Sequence, residues 1–188
     1  MGADPMSLTA DEFVAWELRQ EAKHEFADGR TRAFAGGTLA HAVISSELLG
    51  ILRAHPRSRP CRVFGSDVLI ATARSRRYAD VVVSCDERDI GDLTQTTIRF
   101  PTLVVEVPSQ STASVDRSEK FDEYRTIETL QEYLLLDSRK RWAEAYRRNG
   151  EEWVSSLPVS SGTLRVASLD LPLDLDELYE RASVTAAG

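Results

Sequence analysis

Two acidic residues interrupt otherwise apolar segments of the chain. Asp80 stands in "YADVVVS" and Glu106 in "LVVEVPS", and each carboxylate is followed directly by valine. Apolar runs of this kind are typical of strands buried in a sheet, where an unpaired carboxylate is costly. Two carboxylates on neighbouring strands can converge on one hard divalent cation, which takes oxygen ligands and offsets their burial. The pattern therefore makes Asp80 and Glu106 candidate metal ligands, although a lone acid in a strand is more often paired with an arginine.

The residues after Glu106 favour an end to strand pairing at this point. Pro108 biases Val107 toward extended geometry and cannot donate to a neighbouring strand. The backbone carbonyl of Val107 is then a candidate third oxygen ligand for the same cation.

A lysine further along the chain supplies positive charge. Asp116, Lys120 and Tyr124 have the spacing i, i+4, i+8 and share one face of a helix. If that helix packs on the preceding strand, Lys120 reaches back toward Glu106. A lysine there can orient an attacking water or stabilise charge on an attacked phosphate. The alternative is a surface lysine with Asp116 as a routine ion-pair partner.

The elements that must position these residues follow from local patterns. Thr9 and Glu12 form a capping box for an N-terminal helix, and "DG" at residues 28–29 predicts a hairpin turn. Apolar residues at helical spacing predict a helix from Leu39 to Pro56. Three strands are expected next, in "CRVFGSDVLIAT", "RYADVVVSC" and "PTLVVEV".

The rest of the chain repeats the alternation of helix and strand. "DRSEKFDEYRTIE" predicts a helix and "EYLLLD" a buried strand, followed by a hairpin turning at Asn149-Gly150. "GTLRVASLDLPLDL" adds one strand and "DLDELYERA" a closing helix. We predict an α/β fold with a mixed central β-sheet flanked by helices.

Length and composition limit the kinds of protein that this chain can be. With 188 residues, 42% hydrophobic and 28% charged, the chain suits a single domain over 6–188, with 1–5 as a tag or disordered N-terminus. No apolar stretch approaches the roughly 20 residues that span a bilayer, and no signal peptide is recognisable, so we expect a cytoplasmic protein without membrane contact. Cys61 and Cys85 lie far apart without a CxxC partner, which argues against a zinc site or a disulfide framework.

The charge pattern speaks against a general high-affinity DNA-binding protein. The formal net charge is -7, yet residues 53–78 carry seven arginines against one acid, and residues 139–148 carry five basic residues against one. These segments are either solvated loops and strand faces or phosphate-contacting edges around an acidic site.

The motifs in combination resemble the bacterial Uma-two family of proposed restriction endonucleases, within the PD-(D/E)xK nuclease superfamily. The resemblance covers most of the chain and rests on "HEFADG", "AHAVISSELL", "YADVVV", "VVEVPSQST", "DRSEKFDEY", "EYLLLD" and "LDLDELY". It implies a restriction-endonuclease-like fold. Ala79 stands where the motif has proline, and "VPSQS" replaces the commoner "VLSPS"; neither change removes a ligating group.

The resemblance also implies roles for particular residues. Asp80 and Glu106 would hold Mg²⁺ or Mn²⁺, and Lys120 would be the active-site lysine, since the superfamily's usual lysine position is Pro108 here. Glu25 and His41 match further positions of the pattern, as a further ligand or a proton carrier. The alternatives are that Glu25 is a solvated residue at the end of a strand and that His41 is a helix-start residue with no role in the site. Ser109, Ser111 and Thr112 lack the glycines of a nucleophile elbow, so we expect turn or cap roles for them.

The expected function is a metal-dependent DNA endonuclease that hydrolyses phosphodiester bonds as a homodimer, with DNA only weakly supported by the charge. Two alternatives remain. One is a catalytically silent binding or interaction module that keeps the nuclease fold. The other is a metal-dependent hydrolase that uses the same carboxylates on a substrate other than nucleic acid.

Overall fold

The computed structural model describes residues 8–34, 36–55, 60–108 and 113–184 of the chain. Its strands are β1 (His24–Ala27), β2 (Arg30–Ala33), β3 (Arg62–Gly65), β4 (Leu69–Ala71), β5 (Ser75–Tyr78), β6 (Val81–Ser84), β7 (Thr97–Ile98), β8 (Pro101–Glu106), β9 (Glu132–Leu136), β10 (Ala143–Asn149), β11 (Glu152–Ser155), β12 (Thr163–Val166) and β13 (Leu171–Asp174). Its helices are α1 (Ala10–Glu17), α2 (Leu39–Ala54), α3 (Glu87–Ile90), α4 (Ala113–Val115), α5 (Phe121–Tyr124) and α6 (Leu175–Arg181). A π-helical turn (Asp116–Lys120) joins α4 to α5, and a 3-10 turn (Ala167–Leu169) follows β12.

A mixed sheet lies at the centre of the fold. Over the described residues its strand order is β11-β10-β9-β8-β6-β3. Strands β8 and β9 run parallel, whereas the other neighbours are antiparallel. The connection between the two parallel strands carries α4, the π-helical turn and α5. This sheet with its helices confirms the predicted α/β class.

Both faces of the central sheet are buried. Alternate side chains of each strand point to opposite sides, and each side packs in its own apolar cluster. On one face, Val81 and Val105 pack in a cluster with Leu48 of α2 and Leu178 of α6. On the other face, a second cluster contains Val82, Val104, Tyr124, Tyr133 and further buried residues. The second face is the one that the connection with the π-helical turn covers.

Two further sheets flank this core. One has the order β2-β1-β5-β4-β7, and β12 pairs with β13 in the other. The β1–β2 turn has positive φ at both Asp28 (47°) and Gly29 (78°), the backbone that Asp-Gly hairpin turns favour. The hairpin at Asn149-Gly150 forms as well, with Asn149 paired to Glu152. Both predicted hairpins are confirmed.

The predicted helix starts are also confirmed. Thr9 caps α1 in a reciprocal capping box with Glu12, and Thr38 caps α2 through the backbone N–H of His41. Among the described residues, no helix combines the length and apolar character that crossing a bilayer requires.

Three expected strands are wrong in their extent. "CRVFGSDVLIAT" forms β3 and β4, which belong to different sheets, and "RYADVVVSC" is divided between β5 and β6. "GTLRVASLDLPLDL" forms the two strands of a hairpin rather than one strand. In each case only a few residues separate the two strands, for example Ser66 to Val68 between β3 and β4, and Ala79 with Asp80 between β5 and β6, so the sequence pattern predicts one strand.

The separation of the two cysteines in the sequence, which argues against a disulfide framework, does not keep them apart in the fold. Cys61 and Cys85 are joined by a disulfide bond. Antiparallel pairing of β3 with β6 sets Arg62 opposite Ser84, and the next pair outward is Cys61 with Cys85. Strand register therefore brings together two residues that are 24 positions apart in the chain. The cytoplasmic location, which rested partly on unpaired cysteines, stays a prediction.

Candidate active site

Strands β6 and β8 position the two acidic residues singled out by the sequence. Val81 pairs with Val105, so Asp80 and Glu106 occupy matching positions one residue further out. Strand β8 ends at Glu106, and the backbone N–H of Val107 donates a 2.7 Å hydrogen bond to Asp80 Oδ2. Both acidic residues are buried, with 7% of Asp80 and 3% of Glu106 exposed. Because strand β8 ends before Pro108, the N–H of Val107 can hold the carboxylate of Asp80 next to the end of the strand that carries Glu106.

The π-helical turn supplies the lysine. Asp116, Lys120 and Tyr124 are all buried on one face, as their spacing predicts. Lys120 Nζ lies 3.1 Å from Glu106 Oε1, and the hydroxyl of Tyr124 donates to the same oxygen at 3.2 Å. π-helical turns are frequent at functional sites because they aim side chains that a regular helix would space differently.

Lys120 sits among four oxygen atoms. Besides Glu106, its ammonium donates to the backbone carbonyl of Tyr78 at 3.1 Å. Glu25 Oε1 and Asp116 Oδ1 each lie 3.3 Å away. Burial alone would lower the pKa of Lys120, but the surrounding carboxylates, with Glu106 the strongest, raise it. The lysine therefore stays protonated and is a permanent positive charge at the centre of the cluster.

His41 closes the Asp80 side of the site. It lies in the first turn of α2, and its Nε2 is 2.9 Å from Asp80 Oδ1. The hydrogen bond with Asp80 raises the pKa of His41, with burial opposing it. The imidazole is 18% exposed, more than Asp80, Glu106, Lys120 or Glu25. His41 is therefore the most exposed of these five side chains.

Glu25 belongs to an ion-pair chain behind the lysine. Its Oε1 accepts from the backbone N–H of Tyr78 at 3.1 Å, and its Oε2 accepts from Arg77 at 3.2 Å. Arg77, only 1% exposed, also donates two hydrogen bonds to Glu123, at 2.9 and 2.7 Å. This chain holds Glu25 rigidly against Lys120.

Negative charge exceeds positive charge in this cluster. Within the described part of the chain, two permanent cations, Lys120 and Arg77, lie among five carboxylates that are each at most 11% exposed, those of Glu25, Asp80, Glu106, Asp116 and Glu123. The more exposed carboxylate of Glu119 lies 3.7 Å from Arg77 as well. Burial raises the pKa of Glu106 well above its ordinary value; Lys120 opposes this, while Asp116, Asp80 and Glu25 add to it. Such a cluster favours the binding of either a proton or a further cation.

The structure thus brings together Asp80, Glu106, Lys120, Glu25 and His41. Asp80 and Glu106 are the pair that could hold a metal ion, because their oxygens are hard ligands of the kind that Mg²⁺ and Mn²⁺ prefer. For Val107, the described contact is through its N–H rather than its carbonyl. In residues 8–34, 36–55, 60–108 and 113–184, no three His, Cys, Asp or Glu side chains stand ready as metal ligands. Ser109, Ser111 and Thr112 lie outside the described residues.

Sequence reasoning missed two contributors. The sequence places Arg77 in a basic segment, and all four residues of β5 are buried, so no alternation of exposed and buried residues marks it. Asp116 was interpreted partly as a surface ion-pair partner, yet it is 2% exposed. Its i, i+4 spacing from Lys120 was the signal that could have identified it.

Several arginines of the two basic segments serve the fold, whereas Arg53, Arg62 and Arg74 are exposed. Arg76 and Arg77 are buried ion-pair residues, so neither interpretation of residues 53–78 holds for them. Arg57 and Arg59 fall outside the described residues. In the second segment, Arg147 pairs with Glu132 at 2.8 Å, and Arg148 donates to three backbone carbonyls.

The fold that carries this cluster is shared with a solved structure. A crystal structure from Anabaena variabilis ATCC 29413, described as "a putative nuclease belonging to DUF820", superposes with a TM-score of 0.75. The match covers 93% of this chain and 99% of that chain at 17% sequence identity, so it establishes the shared fold.

Sequence comparison gives the family. Residues 10–180 match the Uma2 family model, described as "Putative restriction endonuclease", and the chain belongs to this family. Two uncharacterized proteins of Synechocystis sp. are similar. The protein slr1290 is 37% identical over 175 residues, covering 92% of this chain and 91% of its own length. The protein sll1609 is 35% identical over 150 residues, covering 78% and 85%. The family confirms the resemblance seen in the sequence.

Proposed function

We propose that this protein is a DNA endonuclease that depends on Mg²⁺ or Mn²⁺. The observation that carries the proposal is the convergence of Asp80, Glu106 and Lys120 in one buried cluster. The family description and the nuclease description of the Anabaena variabilis protein support it. The substrate, the metal dependence and the roles of the residues below are parts of this proposal.

The donor set suits a hard divalent cation. Asp80 and Glu106 offer carboxylate oxygens from adjacent strands, and the cluster carries more acids than permanent cations. Burying so much negative charge is unfavourable unless protons or a cation offset it. A divalent ion held by these carboxylates would act as a Lewis acid on a phosphodiester and lower the pKa of a nearby water.

The chain's own residues have separate tasks in this proposal. Asp80 and Glu106 hold the cation, and the N–H of Val107 fixes the orientation of Asp80. Lys120 places a positive charge where negative charge develops on the attacked phosphate. His41, hydrogen-bonded to Asp80 and partly exposed, can pass a proton between the site and solvent. Glu25 anchors the lysine.

The charge distribution predicts weak affinity for DNA. The net charge is -7, and Arg76 and Arg77 are engaged inside the protein. Each phosphate that a basic side chain neutralises adds to DNA affinity, and salt weakens that contribution, so few such contacts leave the affinity low. We expect cleavage to be clearest at low salt. A homodimer, which would suit cleavage of both strands, is part of the proposal.

Cleavage of supercoiled plasmid in Mg²⁺ or Mn²⁺ tests the proposal. The native protein should nick or linearise the plasmid, and EDTA should stop it. Glu106→Ala and Lys120→Ala should each lower the rate at least about 100-fold. Glu151→Ala and Lys140→Ala are matched controls, because both residues are exposed, and they should cleave at the native rate.

The outcomes separate the alternatives. Metal binding by calorimetry without cleavage of plasmid, single-stranded DNA or RNA would instead support a hydrolase of another substrate. Absence of both metal binding and cleavage would support a silent binding module. Cleavage that survives both active-site substitutions would contradict the assigned site.

A further inference from the structure

The surroundings of Lys120 are those of a bound cation. Its ammonium lies 3.1 Å from Glu106 Oε1 and from the carbonyl of Tyr78, and 3.3 Å from oxygens of Glu25 and Asp116. Three carboxylates and a carbonyl are the oxygen types that a hard divalent ion takes. The side chain is 6% exposed, so this contact is not screened by bulk water.

Glu106 cannot serve two cations equally well. Its described hydrogen bonds, from Lys120 and from Tyr124, both reach Oε1. A divalent ion on Glu106 would lie close to the ammonium, and like charges repel strongly in a buried site. Either the metal binds weakly, or the ammonium moves away from Glu106 when the metal binds.

We propose that Lys120 is an internal counter-cation that competes with the divalent ion for Glu106, and that Glu25 and Asp116 retain its ammonium beside the site once the metal has bound. This inference rests on the proposed metal-dependent function. It gives Glu25 and Asp116 a positioning role that differs from metal ligation.

The rigidity of the two retaining carboxylates favours this arrangement. Glu25 is fixed by Arg77 at 3.2 Å and by the N–H of Tyr78 at 3.1 Å. The backbone of Asp116 is fixed through its carbonyl, which accepts a 2.7 Å hydrogen bond from Tyr133. Neither carboxylate lies on strand β8, which carries Glu106, or directly before β6, where Asp80 stands. The ammonium therefore needs only a small displacement, from Glu106 toward Glu25 and Asp116.

Calorimetric titration with Mn²⁺ compares the native protein with Lys120→Met and Lys120→Gln. Both substitutions remove the competing charge, and the glutamine keeps a hydrogen-bond donor for Glu106. We expect both variants to bind Mn²⁺ at least about tenfold more tightly than the native protein. Lys140→Met, which removes an exposed lysine, should bind with native affinity.

A second measurement uses the native protein and so avoids any folding defect of the variants. The chain contains three lysines, Lys23, Lys120 and Lys140. With ¹³C-labelled lysine, Mg²⁺ should shift the Cε signal of Lys120 and leave the other two in place. The midpoint of the shift should equal the midpoint of a calorimetric titration of the native protein with Mg²⁺.

Two results would overturn the inference. One is a folded Lys120→Gln protein that binds Mn²⁺ no more tightly than the native protein, or not at all. The other is a Lys120 signal that stays unchanged while Mg²⁺ binds. Tighter binding by Lys120→Gln without any plasmid cleavage by the native protein would support this inference and contradict the proposed nuclease function, so the two failures are distinct.

Discussion

Glu106 and Glu132 are buried glutamates on the adjacent parallel strands β8 and β9, yet their surroundings differ. Glu132, which is fully buried, meets one cation and one backbone donor. Its oxygens accept from Arg147 at 2.8 Å and from the N–H of Ser168 at 2.9 Å. Glu106 shares Lys120 with two other carboxylates and has Asp80 as a neighbour.

The difference distinguishes a structural charge from a functional one. Glu132 is matched by Arg147, and together they tie the segment after β12 to the central sheet. Removing one partner of such a pair destabilises a fold, because the remaining charge loses its compensation. Glu106 lies where acids outnumber permanent cations, so a bound proton or metal ion would stabilise the cluster. We infer that unbalanced buried charge is what marks the candidate site.

The largest expected effect is on metal affinity. Glu106→Gln should weaken Mn²⁺ binding about 100-fold or more, since it removes a charged ligand. Glu132→Gln should bind Mn²⁺ within about threefold of the native protein, because Glu132 lies in a separate ion pair. Calorimetric titration of both variants checks this. Equal losses in the two variants would show that the two glutamates do not differ in function.

Stability should respond in the opposite sense. In metal-free buffer at neutral pH, Glu132→Gln should lower the free energy of unfolding by about 2 kcal/mol, since Arg147 loses its charged partner. Glu106→Gln should not lower it, because the change removes one charge from a cluster with excess acid. Urea denaturation in EDTA measures both. A larger loss for Glu106→Gln than for Glu132→Gln would contradict the charge imbalance.

The pH dependence of stability follows from the raised pKa of Glu106. Burial, with Asp116, Asp80 and Glu25, raises it above the ordinary 4.5, so the folded protein binds a proton that the unfolded chain releases more readily. The associated stability is full below the unfolded pKa and is lost as pH rises through the folded pKa. The slope reaches about 1.4 kcal/mol per pH unit where only the folded state holds the proton.

Metal-free urea denaturation at several pH values above 4.5 tests this. The native protein and Glu132→Gln should both lose stability as pH rises. Glu106→Gln should show a shallower dependence. The raised pKa of His41 contributes in the same direction, and the comparison of variants isolates the part due to Glu106. Identical pH profiles for all three proteins would show that Glu106 stays ionised throughout.

The smallest expected effect comes from the glycines before α2. A Cβ on Gly37 would lie 2.4 Å from His41 Nδ1, whereas a Cβ on Gly36 would meet nothing within 4 Å. Gly37→Ala should therefore displace the imidazole from Asp80 and slow plasmid cleavage about tenfold. Gly36→Ala is the matched control and should cleave at the native rate. In Gly36→Ala the NMR signals of His41 should keep their native chemical shifts, whereas in Gly37→Ala these chemical shifts should change. Equal cleavage rates in the two variants would show that the position of His41 does not matter for cleavage.

Local sequence patterns determined much of this protein. The Thr9–Glu12 capping box, the Asp-Gly and Asn-Gly turns and the spacing of Asp116, Lys120 and Tyr124 each depend on residues close in the chain, where backbone and helix geometry leave few choices. The two carboxylates within apolar segments also marked the candidate site, because a buried carboxylate needs a compensating charge, proton or metal ion.

Only the tertiary structure decided which partners each charged residue has. The sequence does not show that Arg77 pairs with Glu25 and Glu123, that Glu132 is matched by Arg147, or that Cys61 meets Cys85. These contacts depend on strand register and sheet order, which join residues far apart in the chain. Whether a buried acid is balanced or in excess is a property of all the charges around it, and that sum exists only once the chain has folded.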